Sequence, residues 1–423
     1  MTGDPHAPGP TLHPETLTVA AGYDAQAHHG AVKPPLFLTS TFVYPSAQHA
    51  KAAHEAYFAP EPPTAGPRPA FIYARLDHPN LVMVEERLAR LDRAEDAAAF
   101  NSGMAAISTV MHAFLRPGTT ILHTRPIYGG TDVLIHRQLS QFGITPVGIE
   151  DGLDAVSVRR AAAAARAIGP LALVLIETPA NPTSGIADIA LIAAVADEIG
   201  RDQGQRPVVA VDNTFLGPFL QTPLEHGADL TITSLTKYAG GHSDLLGGGV
   251  SGRAALIAPL KQLRTVLGSP MDPHTCWMLL RSFETLHLRT ERAGSNARVL
   301  AEFLRGHPRI AQVNYIGFRE PGSAARTTFD RQCRGAGSTF SFRIHGGEAE
   351  AFRMLDRLRV IRMAVSLGGT ETLICHSAST THYAVPPERR ALVGIDDSSL
   401  RISVGIEHCD DLIGDLAQAL EAI

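Results

Sequence analysis

The chain is short of several things at once. It holds 4 cysteines and 1 tryptophan in 423 residues, and its 37 Lys and Arg fall below its 42 Asp and Glu. A formal charge of −5 leaves no basic surplus to neutralise phosphates, which argues against nucleic acid as a partner. Cys276, Cys333, Cys375 and Cys409 lie far apart, with no C-x-x-C and no metal-ligand spacing, so they read as free thiols of a reducing compartment. No apolar run approaches the ~18 residues of a membrane span. The opening MTGDPHAPGPTLHPE lacks an apolar stretch and a basic flank, and is expected to be a loose tail rather than a signal peptide. The 19 histidines form no H-E-x-x-H, and His28-His29 reads as part of a polar surface loop. The expectation is a cytoplasmic globular protein that binds neither metal nor membrane.

What is present is a 44% hydrophobic content, enough for a large core in two or three domains. The segment APEPPTAGPRP (59–69) is too rich in proline for helix or interior strand and reads as an extended loop. From residue 77 the pattern alternates. LVMVEERLARL places Leu81, Val84, Leu88 and Leu91 on one helical face. Short apolar runs follow at TTILHT, LALVLIET, PVVAVDNT, DLTITS and GGGVSG, separated by alanine-rich helical stretches. Runs of this kind suit parallel strands covered on both faces, hence an α/β domain with a mostly parallel sheet. Beyond residue 270 a long helical tract, the strand-like STFSFRIHG and DSSLRISVGIE, and the amphipathic CDDLIGDLAQALEAI suggest a smaller α+β domain. The expected division is an arm at 1–76, the α/β domain at 77–285 and the C-terminal domain at 286–423.

In open α/β sheets ligands gather outside the carboxyl ends of the strands. Glu177, Asp212 and Ser234 fall at such ends, and Lys237 follows in TSLTKYAGGHSD. Taken alone, Asp212 reads as readily as a helix cap or half of an ion pair, and Lys237 as a surface lysine. Together they suit pyridoxal phosphate, which needs a lysine to bond its aldehyde, an acid beside its ring nitrogen and donors for its phosphate. Ser234 and Thr236 carry hydroxyls for that phosphate. FNSGMAAIS leads from a turn into a helix, where the amides of Gly103 and Met104 are placed to bind an anion. Tyr128 in RPIYGGTD is placed to stack on a flat ring, although a tyrosine there also reads as core.

The ordered set NSGM, YGGT, TPANPTSG, VDNTF, SLTKY, AVSLGGTETL and LRISVGIE resembles the Cys/Met-metabolism family of pyridoxal-phosphate enzymes, from about residue 16 to the C-terminus. That family includes cystathionine γ-synthase, cystathionine lyases, methionine γ-lyase and homoserine sulfhydrylases. The resemblance implies fold type I, with a seven-stranded sheet, in a homotetramer of two tight dimers with shared active sites. It implies Lys237 as the covalent anchor and proton carrier, Asp212 as the partner of the ring nitrogen and Tyr128 as the stacking ring. It places Gly103, Met104, Ser234 and Thr236 around the phosphate, and Asn181 near the cofactor's phenolic oxygen. Tyr73 and Arg75 in FIYARLDHPN match a pair that completes the neighbouring subunit's cradle. Arg401 matches the arginine that grips the substrate carboxylate, with Ser366 beside it.

The resemblance leaves elimination and replacement at the γ-carbon both open. Members that make or cleave cystathionine usually have glutamate just before the serine of S-L-G-G; here it is Val365. Methionine γ-lyases usually have cysteine two residues after the stacking tyrosine, and lysine and aspartate where Arg264 and Thr265 stand; here the first is Gly130. The leading expectation is a γ-lyase acting on a methionine-like, homocysteine-like or O-substituted homoserine-like amino acid, canavanine included. Loop 59–69 and His78 are expected to help select the γ-substituent. A γ-synthase or sulfhydrylase is the alternative, and a catalytically silent binding module a third.

Overall fold

The computed structural model describes residues 12–59 and 70–423. The proline-rich loop therefore lies outside the described residues except at Ala59. The tail expected through residue 15 becomes helical earlier, in Pro14–Ala20, with proline in the first turn where its missing N–H is harmless.

Seven strands form the first sheet: β1 (Asp96–Phe100), β2 (Thr120–His123), β3 (Thr145–Gly148), β4 (Leu171–Glu177), β5 (Val208–Asp212), β6 (Leu230–Thr233) and β7 (Gly248–Gly252). Their order is β1-β7-β6-β5-β4-β2-β3, parallel from β6 to β3, with β7 antiparallel to both neighbours. The mostly parallel sheet expected from the apolar runs is thus present. β1 and β3 escaped that reading for a physical reason. DAAAF is alanine-rich and TPVG carries proline and glycine, so neither has the branched side chains that mark a strand. Buried Ile, Leu and Val on β2, β4 and β5 pack on both sheet faces against flanking helices, including Gly103–Phe114 on one side and Ile189–Gln203 on the other.

β1 lies at the sheet's edge, where unpaired backbone groups need cover. The helix Pro79–Leu91 supplies it. Leu81, Val84, Leu88 and Leu91 are buried as the spacing predicts, but Glu85 and Arg87 are buried too. Glu85 Oε1 accepts the Ala99 N–H at 3.0 Å, while Arg264 donates to the Ala99 carbonyl at 2.8 Å and pairs with Glu85. An ion pair thereby takes the place of an eighth strand at this residue.

The second sheet comprises β8 (Ile310–Asn314), β9 (Thr339–Ile344), β10 (Arg362–Met363), β11 (Leu373–His376) and β12 (Ser399–Ser403), ordered β10-β11-β12-β9-β8. The long helical tract resolves into two helices, Pro273–Phe283 and Leu286–Gly306. Leu300, Leu304, Phe340, Phe342, Ile402, Leu412 and Leu416 make this sheet's core. Among the described residues no helix is long and apolar enough to cross a membrane, and no group of three or more His, Cys, Asp or Glu could hold a metal ion.

Arg264→Met would leave Glu85 with Lys261, at 3.2 Å, as its cationic partner. It should therefore destabilise the protein in chemical denaturation, by less than the ~3–5 kcal/mol expected when a buried pair is fully broken. Adding Glu85→Leu should recover most of that loss.

Candidate active site

Parallel register sets the floor of the site. Glu177 and Asp212 are partners at the ends of β4 and β5. Asp212 Oδ1 accepts the Thr214 N–H at 3.0 Å, and the Thr214 hydroxyl also bonds to this carboxyl. Burial nonetheless holds the Asp212 pKa above the ordinary carboxylate value. No described lysine or arginine pairs with it. The Thr214 hydroxyl oxygen in turn accepts the Ser234 N–H at 2.9 Å, tying the end of β5 to the turn after β6.

That turn carries Lys237. Its amine donates to Ser366 Oγ at 2.9 Å. Burial first, and the nearby Arg401 guanidinium second, lower its pKa to about 8, which favours the neutral amine. Ser366 is held at φ 91°, a left-handed conformation uncommon for a residue other than glycine. It comes from the segment between β10 and β11 of the second sheet. Gly368, two residues on, also has positive φ, and a Cβ there would lie 2.6 Å from the Tyr238 nitrogen. Only glycine lets this segment abut the lysine turn.

Arg401 lies on β12 and is 3% exposed. It donates to Asn181 Oδ1 at 3.2 Å and to the Ser366 carbonyl at 2.7 Å, while its Nε has no partner. It pairs with no described carboxylate. A buried guanidinium so placed is matched to an incoming anion.

The opposite wall comes from β1 and β2. After β1, Ser102 caps the helix Gly103–Phe114 by accepting the Ala105 N–H at 3.1 Å. The amides of Gly103 and Met104 stand in the first turn, outside the helix ladder. A Cβ on Gly103 would lie 2.9 Å from Ser234 Oγ, so glycine is what brings this helix start and that hydroxyl together. After β2, Tyr128 begins a short helix, and its N–H goes to Glu177 Oε2 at 2.6 Å. Its ring edge lies over Gly130, where an added Cβ would fall 2.7 Å from Tyr128 Cε1 and 3.2 Å from Met104 Sδ.

Lys237, Asp212, Ser234, Gly103, Met104, Tyr128, Asn181, Ser366 and Arg401 are therefore linked by one chain of contacts that runs through Glu177, Thr214 and Gly130. Thr236 is adjacent, but its hydroxyl is engaged with Gly247, donating to the carbonyl at 3.2 Å and accepting the N–H at 3.0 Å. Tyr73 and Arg75 contact different groups. Arg75 donates to the Thr265 carbonyl at 2.7 Å and lies 5.9 Å from the Tyr73 ring, and both residues are exposed. His78 is not in the pocket. It is fully buried, its Nδ1 accepts the Leu81 N–H as a helix cap, and its Nε2 bonds the Met271 carbonyl. A role in selecting a substituent is thereby withdrawn. Thr214 was overlooked because a threonine after a strand is unremarkable until its two bonds are seen.

A buried acid without a cation, a lysine favoured as the neutral amine, and a helix start facing a free hydroxyl fit pyridoxal phosphate. The chain is a pyridoxal-phosphate-dependent enzyme with an α/β fold and a second sheet domain. Residues 15–421 match the family described as Cys/Met metabolism PLP-dependent enzyme, and the chain belongs to it. It is 37% identical to the L-methionine gamma-lyase of Pseudomonas putida over 96% of this chain and 97% of that one. Identity is also 37% to the cystathionine gamma-synthase of Mycobacterium tuberculosis, over 96% of each. The cystathionine gamma-synthase of Xanthomonas oryzae pv. oryzae, solved with aminoacrylate and cysteine, superposes with TM-score 0.86 at 35% identity, covering 97% and 98% of the two chains.

Thr214→Val should weaken cofactor binding about tenfold, because it removes a hydrogen bond to Asp212 and leaves the Ser234 amide unpaired. Equilibrium titration with pyridoxal phosphate measures this. An amine attacks an aldehyde only when neutral, so covalent capture by Lys237 should quicken as pH rises through about 8 and then level off. Borohydride trapping at timed intervals reads that profile.

Proposed function

We propose that the enzyme is a γ-lyase for a methionine-like or O-substituted homoserine-like L-amino acid, the canavanine type included. The observation that carries this choice is Val365. It is 55% exposed and immediately precedes Ser366, which supports a place for it beside the substrate. A substrate with a second amino group on its distal arm, as cystathionine has, would be served by an acid there, and Val365 supplies none. Gly130 lets the Tyr128 ring settle where a larger residue would push it away. The proposal is a pocket shaped for an apolar or oxygen-linked γ-substituent.

In this reading the Arg401 fork receives the α-carboxylate, with Asn181 and Ser366 fixing its plane. Asp212 would hold a proton at the ring nitrogen, and Tyr128 would cover the ring. Gly103, Met104 and Ser234 would bind the phosphate, and Thr236 would join them if its hydroxyl turned from Gly247. Bound pyridoxal phosphate supplies an electron sink for the bonds broken at the substrate's α-carbon. Lys237 Nζ would take the α-proton, give it up to the electron-rich carbon system and, neutral again, take a β-proton; the electron pair left at the β-carbon then expels the γ-substituent. Ser366 Oγ holds the amine within reach between transfers.

Tyr73 and Arg75 are proposed to serve the pocket of a neighbouring copy, within a homotetramer. Their exposure supports this, as do Val32, Leu38 and Val43 of the N-terminal segment, which are 84%, 72% and 95% exposed and so need a cover. A second reading, γ-replacement by a synthase or sulfhydrylase, is favoured by the equal 37% identity to a cystathionine gamma-synthase.

Product analysis with methionine, homocysteine, canavanine and O-acylhomoserines, with and without a thiol, separates the two. Release of ammonia and an oxo acid without a thiol is expected. Thiol-dependent consumption with no oxo acid would establish replacement. Lys237→Ala should abolish turnover while retaining non-covalently bound cofactor. Arg401→Ala should weaken substrate binding by about 2–5 kcal/mol. Unaltered kinetics would remove either residue from its role.

A further inference from the structure

Glu177 has no part in the chemistry above, yet it is among the most firmly bonded acids near the pocket. It closes β4 and is 6% exposed. Oε2 accepts the Tyr128 N–H at 2.6 Å, and Oε1 accepts the Asn181 N–H at 2.7 Å. Its own N–H is donated to the Thr124 hydroxyl at 2.9 Å. These two amides belong to separate turns, one after β2 and one after β4. The first turn carries the Tyr128 ring. The second carries the Asn181 side chain, whose Oδ1 receives the Arg401 guanidinium.

The position is an expensive one for a carboxylate. Burial, and then Asp212 alongside, push its pKa up to about 8, and no described cation pairs with it. A glutamine of the same shape would avoid that cost. It would fail at one task, because an amide has a single acceptor atom and its NH2 would face an N–H donor. Only a carboxyl group offers an acceptor to both turns.

We propose that Glu177 is a positioning residue that locks the Tyr128 turn and the Asn181 turn together. It thereby sets the Arg401 fork relative to the ring face. Carboxylate recognition and ring stacking are then fixed by one side chain that touches neither substrate nor cofactor. The inference rests on the site assignment proposed above.

The test is Glu177→Gln in the cofactor-loaded enzyme, with L-norvaline as the probe. Norvaline presents the α-amino and α-carboxylate groups without a γ leaving group, so its binding is read from the visible spectrum with no turnover. Cofactor content and Tm are measured on the same samples. The dissociation constant should rise about tenfold in Glu177→Gln, the size expected for one lost hydrogen bond. In an Asn181→Ala background the same change should add less than about twofold, since its route to Arg401 is already cut. A lower Tm with an unchanged dissociation constant in the loaded sites would show a purely structural role and overturn the proposal. A full tenfold effect persisting in Asn181→Ala would also overturn it. Should Glu177→Gln not fold, Glu177→Asp keeps the charge but is too short to reach both amides; it should show the same weakening, and wild-type affinity there rejects the lock. If the wild-type enzyme itself binds no norvaline, the site assignment falls and takes this inference with it. Normal wild-type binding with an unaltered variant removes the inference alone.

Discussion

Two acids stand side by side at the ends of adjacent parallel strands, buried and without a side-chain cation between them. Glu177 and Asp212 cannot relax apart, because the hydrogen bonds of β4 and β5 hold them in register. The Arg401 guanidinium, which donates to Asn181 Oδ1, likewise pairs with no described carboxylate, and it helps to hold the Lys237 amine toward its neutral form. Were guanidinium and acids in contact, they would neutralise each other and close the space. The fold keeps Arg401 from the acids by mounting them on different sheets, the acids on the first and Arg401 on the second, with Asn181 between Glu177 and the guanidinium. Unmatched buried charge of both signs is destabilising in isolation. A ligand that is cationic at one end and anionic at the other would relieve both.

Such an arrangement requires a stiff mount, and the junction of the two sheets provides one. Tyr238 directly follows Lys237 in sequence, and its hydroxyl lies 2.7 Å from Thr339 Oγ1 on β9. Arg289, on the helix Leu286–Gly306, donates to the carbonyls of Tyr238 at 2.7 Å and Ser282 at 2.8 Å. It packs so closely on Gly241 that a Cβ there would lie 1.8 Å from its Nη1. The backbone on the far side of Lys237 is thus clamped, while Gly368 admits the second sheet's segment on the near side. The lysine side chain is left as the movable part of a fixed frame, which is what a proton carrier needs.

The parts of this design that show in the sequence are those where a residue type conflicts with its local pattern. An aspartate ending VVAVD and a lysine within SLTKYAGG stand out because apolar runs should not end in unpaired charge. The parallel strands were visible for the related reason that Val, Ile and Leu crowd them. What stayed hidden depends on contacts between distant segments. Thr214 and Glu177 act through backbone amides, and an amide leaves no trace in residue type. His78 misled because histidine suggests chemistry, whereas here both ring nitrogens serve packing. Thr236 kept its place but not a free hydroxyl, since Gly247 lies eleven residues on and approaches only in the folded chain. Val365 and Gly130 were legible as departures, but their consequence depends on the wall that each one leaves open.

The same separation explains why the family's reactions are hard to distinguish by fold. Proton transfer, carboxylate recognition and ring support all reside in groups pinned by strands and tight turns. Val365 and Tyr128 are instead exposed on loops, and the proposed function has the γ-substituent meet them there. A change at the rim alters which arm is accepted, and whether water or a thiol arrives next, without disturbing Lys237. The equal 37% identity to a lyase and to a synthase then follows naturally. Much of the chain serves the shared frame, and few residues carry the choice between elimination and replacement. In the proposed function, reaction choice is therefore assigned to the exposed residues beside the lysine turn and to what diffuses to them, and the buried charges beneath to holding an α-amino acid and moving its α-proton.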